Sequence, residues 1–158
     1  AAIARANVAY RPTHESDHCL DVTVEALIRN GFDVSATLLL FTVIERVTRI
    51  YGSRLGRHAE DQVLLALREL AEESLAAAID RVNERAVEPV AISTTILEGD
   101  TVTTALSKRN WDDADLIVTG STGAGPLRRV FLGDMAYKLI RAATIPVMVI
   151  PRSAFVTD

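Results

Sequence analysis

The sequence alternates between short apolar segments and longer amphipathic ones, and this alternation constrains the fold more than any other feature. Segments rich in apolar and β-branched residues predict five strands, at residues 7–10, 34–43, 90–97, 116–118 and 147–150. Strands that alternate with helices form parallel sheets through right-handed crossover connections. We therefore expect an α/β fold: an open, doubly wound, five-stranded parallel sheet with helices on both faces.

Four helices are predicted between these strands. The first is capped by Ser16 or Asp17 and ends at Asn30-Gly31, because glycine accepts the left-handed conformation of a helix C-terminus. The other three cover residues 60–85, the segment that carries Val102 and Leu106, and residues 131–143. Residues 46–58 are polar and basic and contain two glycines, so we expect a surface connection there.

Length and composition indicate one domain, residues 1–158, in a reducing compartment. A chain of 158 residues suits a single domain, and 49% apolar residues can build its core. The net charge of −4 comes without a broad basic stripe, which argues against general nucleic-acid binding. No apolar run is long enough to cross a bilayer, and no secretion signal is recognisable. Cys19 is the only cysteine, which favours the cytoplasm, or the cytoplasmic part of a larger protein.

A glycine-rich loop follows the predicted fourth strand and is the main candidate for a binding site. It runs from Gly120 to Gly125 as Gly-Ser-Thr-Gly-Ala-Gly, and Arg128 and Arg129 follow shortly after. Ligands of open α/β sheets bind outside the carboxyl ends of the strands, and glycines let backbone amides approach an anion. The alternative is that these glycines only turn the chain.

Residues 115–152 resemble the carboxyl-terminal signature of universal stress proteins. Nucleotide-binding members of that family carry Gly-x2-Gly-x9-Gly-Ser/Thr, and Gly120, Gly123 and Gly133 stand at these spacings. The match continues without a gap into the Pro-Val start of the last strand. The order of elements suits the family over almost the whole chain, so the resemblance implies the family's sheet, with strand order 3-2-1-4-5.

The resemblance also implies a nucleotide site. The three glycines would cradle phosphates beside Thr119 and Thr122, and the strand end near Val43 would present backbone groups to adenine. The sequence departs from the family's pattern at two places: Asp134 replaces the usual Ser/Thr, and Arg11 stands where an Asp-Gly-Ser turn is usual. The ligand-binding candidates are Arg11, Val43, Thr119, Gly120, Thr122, Gly123, Gly133 and Asp134.

Both departures weaken the implied nucleotide site. A carboxylate at Asp134 repels phosphate unless a cation bridges them. Loss of the first-strand aspartate removes an expected contact to ribose or base, whereas Arg11 is a candidate contact to phosphate.

The leading hypothesis is a non-enzymatic module that binds an adenine nucleotide, ATP or AMP, or a similar small anion in a regulatory or stress-response role. Mg²⁺ accompanies the ligand if a polyphosphate is bound. No catalytic residue and no metal ligand is predicted, so at most weak nucleotide hydrolysis is expected. The alternative is a nucleotide-free dimeric interaction domain, such as the soluble domain of a transporter. We expect a homodimer that pairs through the apolar last strand, Val147–Ile150.

Overall fold

The computed structural model describes residues 3–29, 37–86, 90–121 and 134–151. Its elements, in chain order, are β1 Arg5–Ala9, α1 His14–Arg29, β2 Thr37–Glu45, β3 Arg49–Ile50, β4 Ser53–Arg54, α2 Arg57–Arg85, β5 Ile92–Gly99, α3 Val102–Ser107, β6 Asp115–Gly120, α4 Asp134–Ala142 and β7 Val147–Ile150. None of the helices in these ranges has the length and apolar character needed to span a membrane.

Five strands form one parallel sheet in the order β5-β2-β1-β6-β7, and β3 and β4 form a separate hairpin. Without the hairpin, this is the predicted order 3-2-1-4-5, so the predicted sheet is confirmed. The central strand β1 pairs with β2 on one side and β6 on the other, with Val8 opposite both Leu40 and Val118. The chain therefore reverses its winding direction between β1 and β6, which is where ligands bind in sheets of this kind.

Helices cover both faces of the sheet and bury two apolar clusters. One cluster joins α1 and α2 to the sheet and includes Cys19, Leu20, Leu75, Ala78 and Val82. The other joins α3 and α4 to the opposite face and includes Phe41, Val102, Leu106, Ile117 and Leu139. Burial raises the pKa of the Cys19 thiol to about 12, so this cysteine stays neutral and serves as core.

The cap of α1 lies earlier than predicted. The Thr13 hydroxyl accepts a hydrogen bond from the backbone N–H of Ser16 at 3.2 Å, which makes Thr13 the N-cap and starts the helix at His14. The Ser16 hydroxyl in turn accepts from the backbone N–H of Arg11 at 3.1 Å. Ser16 and Asp17 are good capping residues as well, so the sequence alone could not rank the three.

Residues 46–58 contain a β-hairpin that the sequence did not predict. Its two-residue loop is Tyr51-Gly52, and both residues adopt positive φ angles, 53° and 78°. Helix α2 then starts at Arg57, three residues before the predicted start. A tyrosine rarely adopts positive φ, which is why the pattern indicated a plain connection rather than a hairpin.

Candidate functional site

A cleft of about 310 Å³ opens at the carboxyl ends of β1 and β6, where the winding reverses; we call it the switch-point cleft. Its volume falls within the range of small-molecule sites. Its polar lining comes from Arg11, Thr13, Glu15, Ser16, Thr119 and Asp134. Its apolar lining comes from Ala9, Tyr10, Phe41, Val43, Met135 and Ala136, and Gly120 lies on the wall.

Most of the apolar lining is rigid. Phe41 is fully buried, and its ring packs edge-on against Trp111 with centroids 5.9 Å apart. Val43 and Ala136 are buried as well. The floor of the cleft is therefore apolar and held in place by core packing.

Tyr10 forms one wall of the cleft and is held from three directions. Its hydroxyl donates to Asp17 at 2.7 Å, its backbone N–H donates to the carbonyl of Phe41 at 2.8 Å, and its carbonyl accepts from the Thr42 hydroxyl at 3.0 Å. Burial, and then the hydrogen-bonded carboxylate of Asp17, raise the pKa of Tyr10 well above its usual value. Tyr10 therefore stays protonated and fixed in place, as a wall rather than a reacting group.

A charged network extends from this wall to α2. Arg81 donates to both carboxylate oxygens of Asp21, at 2.9 and 2.8 Å, and lies 3.9 Å from Asp17. Arg85 lies 3.4 Å from Asp21. These ion pairs join helix α1 to helix α2.

Gly120 is required by the packing of α1 against the end of β6. A Cβ atom at this position would lie 2.9 Å from the carbonyl oxygen of Glu15 and 3.5 Å from the Cβ of Cys19. The glycine lets the first turn of α1 approach β6, and that turn carries Thr13, Glu15 and Ser16 of the lining. Its first role is therefore to assemble the cleft.

Asp134 lies at the mouth of the cleft with 81% of its side chain exposed. Lys138, one turn later on α4, lies 3.1 Å from Asp134 and donates to Glu45 at 2.8 Å. The carboxylates of Glu45 and Asp134 raise the pKa of Lys138, which keeps its positive charge beside the cleft. The charge of Asp134 is thus partly compensated by a lysine that motif matching did not point to.

Five of the eight sequence candidates line this one cleft: Arg11, Val43, Thr119, Gly120 and Asp134. The other three, Thr122, Gly123 and Gly133, lie outside the described residues. The described ranges hold no group of three or more His, Cys, Asp or Glu side chains placed to bind a metal. Sequence reasoning missed Tyr10 and Lys138; the four-residue spacing from Asp134 to Lys138 was the one signal available for the latter.

The fold and the cleft define a class of protein: a doubly wound α/β domain with a ligand-sized cleft at its switch point. The model of the Universal stress protein family matches residues 8–151. The chain belongs to the universal stress protein family.

Known proteins resemble the chain in sequence and in structure. A universal stress protein of Mycobacterium tuberculosis is 32% identical over 124 residues, which make up 78% of this chain and 40% of that protein. The chain thus spans less than half the length of this relative. The structure of a family member from Burkholderia pseudomallei superposes with a TM-score of 0.63 at 22% identity, over 95% of this chain and 97% of that one. A universal stress protein in complex with cAMP superposes with a TM-score of 0.51 at 19% identity, over 96% and 98% of the two chains.

Proposed function

We propose that this domain binds an adenine nucleotide, or a similar small anionic ligand, in the switch-point cleft and acts in regulation or stress response rather than as a catalyst. The observation that carries the proposal is the cleft itself, which combines a buried apolar floor with Arg11 and hydroxyl donors at the carboxyl edge of the sheet. The cAMP complex of a structurally similar family member supports the same ligand class. We place the domain, residues 1–158, in the cytoplasm, which suits its single cysteine.

The charges of the described lining favour a ligand with few phosphates. Arg11 is exposed, and within the described ranges it has no carboxylate partner. Glu15 and Asp134 also line the cleft, so carboxylates outnumber the guanidinium there, and Lys138 offsets Asp134 only in part because it also pairs with Glu45. Each further phosphate adds repulsion, which Mg²⁺ bridging would relieve. We therefore expect AMP or a cyclic nucleotide to bind more tightly than ATP in the absence of metal.

The test is a calorimetric titration of AMP and ATP, without metal, into the unmodified protein and the Asp134→Ser variant. Removing an exposed charge next to phosphate changes binding by about 1 kcal/mol or less, so we expect ATP affinity to rise up to about five-fold and AMP affinity to change less. Asp113→Ser is the matched control, because Asp113 is an exposed aspartate before the amino end of β6. No heat from any adenine nucleotide would refute the proposed function, and an equal gain in both variants would show a general charge effect.

A second proposed function, a dimeric interaction domain, rests on the position of β7. β7 is the last strand of the sheet, and no described strand pairs with its outer side. The backbone N–H groups of Ile117 and Ser121 donate to the carbonyls of Pro146 and Ile150. Because these groups alternate along a strand, the N–H and carbonyl of Val149 point away from β6. An apolar edge with free donors supports pairing with a second copy.

Replacing Val149 with proline is expected to convert a homodimer into a folded monomer. Proline removes the outward N–H but leaves the hydrogen bonds to β6, and proline is tolerated at sheet edges. Val149→Thr keeps the N–H and the β-branched shape, so it should remain dimeric. Multi-angle light scattering at micromolar concentration measures the mass of each variant. A mass of one subunit for the unmodified protein would refute the dimer.

A further inference from the structure

The hairpin segment carries an unusual concentration of positive charge. Residues 46–58 contain four arginines and no acidic residue, in a chain whose net charge is −4. Arg46, Arg54 and Arg57 line one cleft of about 440 Å³, together with Leu55 and Glu60; we call it the arginine cleft.

The arginines of this cleft differ in whether they have ion-pair partners. Arg46 lies 3.8 Å from Glu60 and 3.5 Å from Asp61, so its charge has partners. Arg54 and Arg57 are both exposed, and neither forms an ion pair within the part of the chain that the structure describes. Two guanidinium groups therefore line the same cleft without an ion-pair partner among the described residues, and the one carboxylate in the lining, Glu60, lies nearest to Arg46.

The hairpin places like charges directly opposite each other. Arg49 and Arg54 are cross-strand partners in the β3–β4 pair. Like charges in this position destabilise a hairpin, and two-stranded hairpins are marginal on their own. The loop adds a tyrosine at positive φ. An anion bound at Arg54 would offset part of this repulsion and stabilise the hairpin.

The start of α2 lies next to the cleft, since the residues on either side of its N-cap, Leu55 and Arg57, line it. Gly56 is the N-cap of this 29-residue helix and provides no side-chain acceptor for the first backbone N–H groups. Arg57, the first residue of the helix, lines the cleft. Free amides at a helix N-terminus favour an anion, and here they supplement the two unpaired arginines.

We propose that the arginine cleft is a second anion site, separate from the switch-point cleft, and that it takes a small ligand with two adjacent phosphate groups. Two unpaired guanidinium groups match two phosphates, since each can donate paired hydrogen bonds to phosphate oxygens. The chemistry is shared by inorganic pyrophosphate and by the diphosphate end of an ester, and the experiment separates these sources.

The experiment is a calorimetric titration of inorganic pyrophosphate, and separately of ADP, into the unmodified protein and three single variants. Arg54→Gln and Arg57→Gln should each weaken pyrophosphate binding at least about five-fold, as expected for loss of a charge-assisted hydrogen bond. Arg141→Gln is the charge-matched control, because Arg141 is exposed on α4 and stacks over Tyr137. It should change affinity less than two-fold, and all three variants should keep the thermal midpoint of the unmodified protein.

Arg11→Gln separates the two clefts, since Arg11 lines the switch-point cleft and does not line the arginine cleft. If Arg54→Gln weakens both ADP and pyrophosphate while Arg11→Gln spares pyrophosphate, the ligand of the arginine cleft is a diphosphate ester. If Arg54→Gln weakens the binding of pyrophosphate but not of ADP, the ligand is the free anion. The proposal is overturned if pyrophosphate does not bind at millimolar concentration, if Arg141→Gln weakens it equally, or if Arg11→Gln abolishes it while Arg54→Gln does not.

Discussion

Replacing Gly120 with valine is expected to destabilise the domain by about 1–3 kcal/mol, the usual effect of overpacking, and to abolish ligand binding in the switch-point cleft. The first added atom alone would lie 2.9 Å from the carbonyl oxygen of Glu15, a backbone atom that cannot move without its helix. The start of α1 must then shift away from β6. That shift displaces Thr13 and Ser16, so binding is lost together with stability.

Urea unfolding and nucleotide titration of Gly120→Ala and Gly120→Val test this expectation. The loss of stability and of binding should be larger for valine than for alanine. Gly56→Ala is the control, because a Cβ at Gly56 meets no atom within 4 Å and its φ of −67° suits any residue. Because Gly56 is the N-cap of α2, the Gly56→Ala variant should lose less than about 1 kcal/mol of unfolding free energy. Unchanged stability in Gly120→Val would mean that α1 does not press against β6 in this way.

The inner strands β1, β2 and β6 were predictable from sequence because helices bury them on both faces, and such strands are nearly continuous apolar runs. The outer strand β7 is only half-buried, but its four apolar residues between two prolines predicted the bounds that it has, Val147–Ile150. Strand ends were less accurate: β1 was predicted at residues 7–10 and lies at Arg5–Ala9. Pairing with β2 and β6 decides where β1 begins, and local composition does not show pairing.

The candidate site was predictable only where a motif marked it. Gly120 and Asp134 were found by glycine spacing and Arg11 by the turn after β1, and the fold brings all three to one cleft. Tyr10 was missed because its role depends on a hydrogen bond to Asp17 and a network that reaches Arg81, 71 positions along the chain. Contacts between distant segments leave no signal in a single sequence.

Gly120 was predicted as a site residue and lines the cleft, but the structure gives a different reason for the glycine than the motif does. The motif suggested Gly120 for its approach to phosphate, whereas the packing of α1 already excludes any side chain there. Both roles demand the absence of Cβ, so spacing cannot distinguish them. A variant that restores stability without restoring binding would separate the two.

Replacing Asp115 with alanine is expected to destabilise the domain by about 3 kcal/mol without changing ligand affinity. Asp115 is 1% exposed, accepts from Asn7 at 3.1 Å and from the backbone N–H of Asp112 at 3.0 Å, and lies 3.5 Å from Arg5. Alanine would remove the charged acceptor of the Asn7 side-chain NH₂ group, and Asn7 is fully buried. The side-chain oxygen of Asn7 already has no partner among the described residues.

The affinity should hold because Asp115 begins β6 at the amino edge of the sheet, opposite the edge that carries the cleft. Asp115→Asn keeps the size of the side chain and one acceptor oxygen, so we expect it to lose about half as much unfolding free energy as Asp115→Ala. Asp113→Ala changes an exposed neighbour, and its unfolding free energy should stay within about 0.5 kcal/mol of that of the unmodified protein. Urea unfolding measures the three free energies, and nucleotide titration of the folded variants measures affinity. Equal losses in Asp113→Ala and Asp115→Ala would show that the buried hydrogen bonds contribute nothing. Weaker nucleotide binding by fully folded Asp115→Ala would show that the two edges of the sheet are coupled.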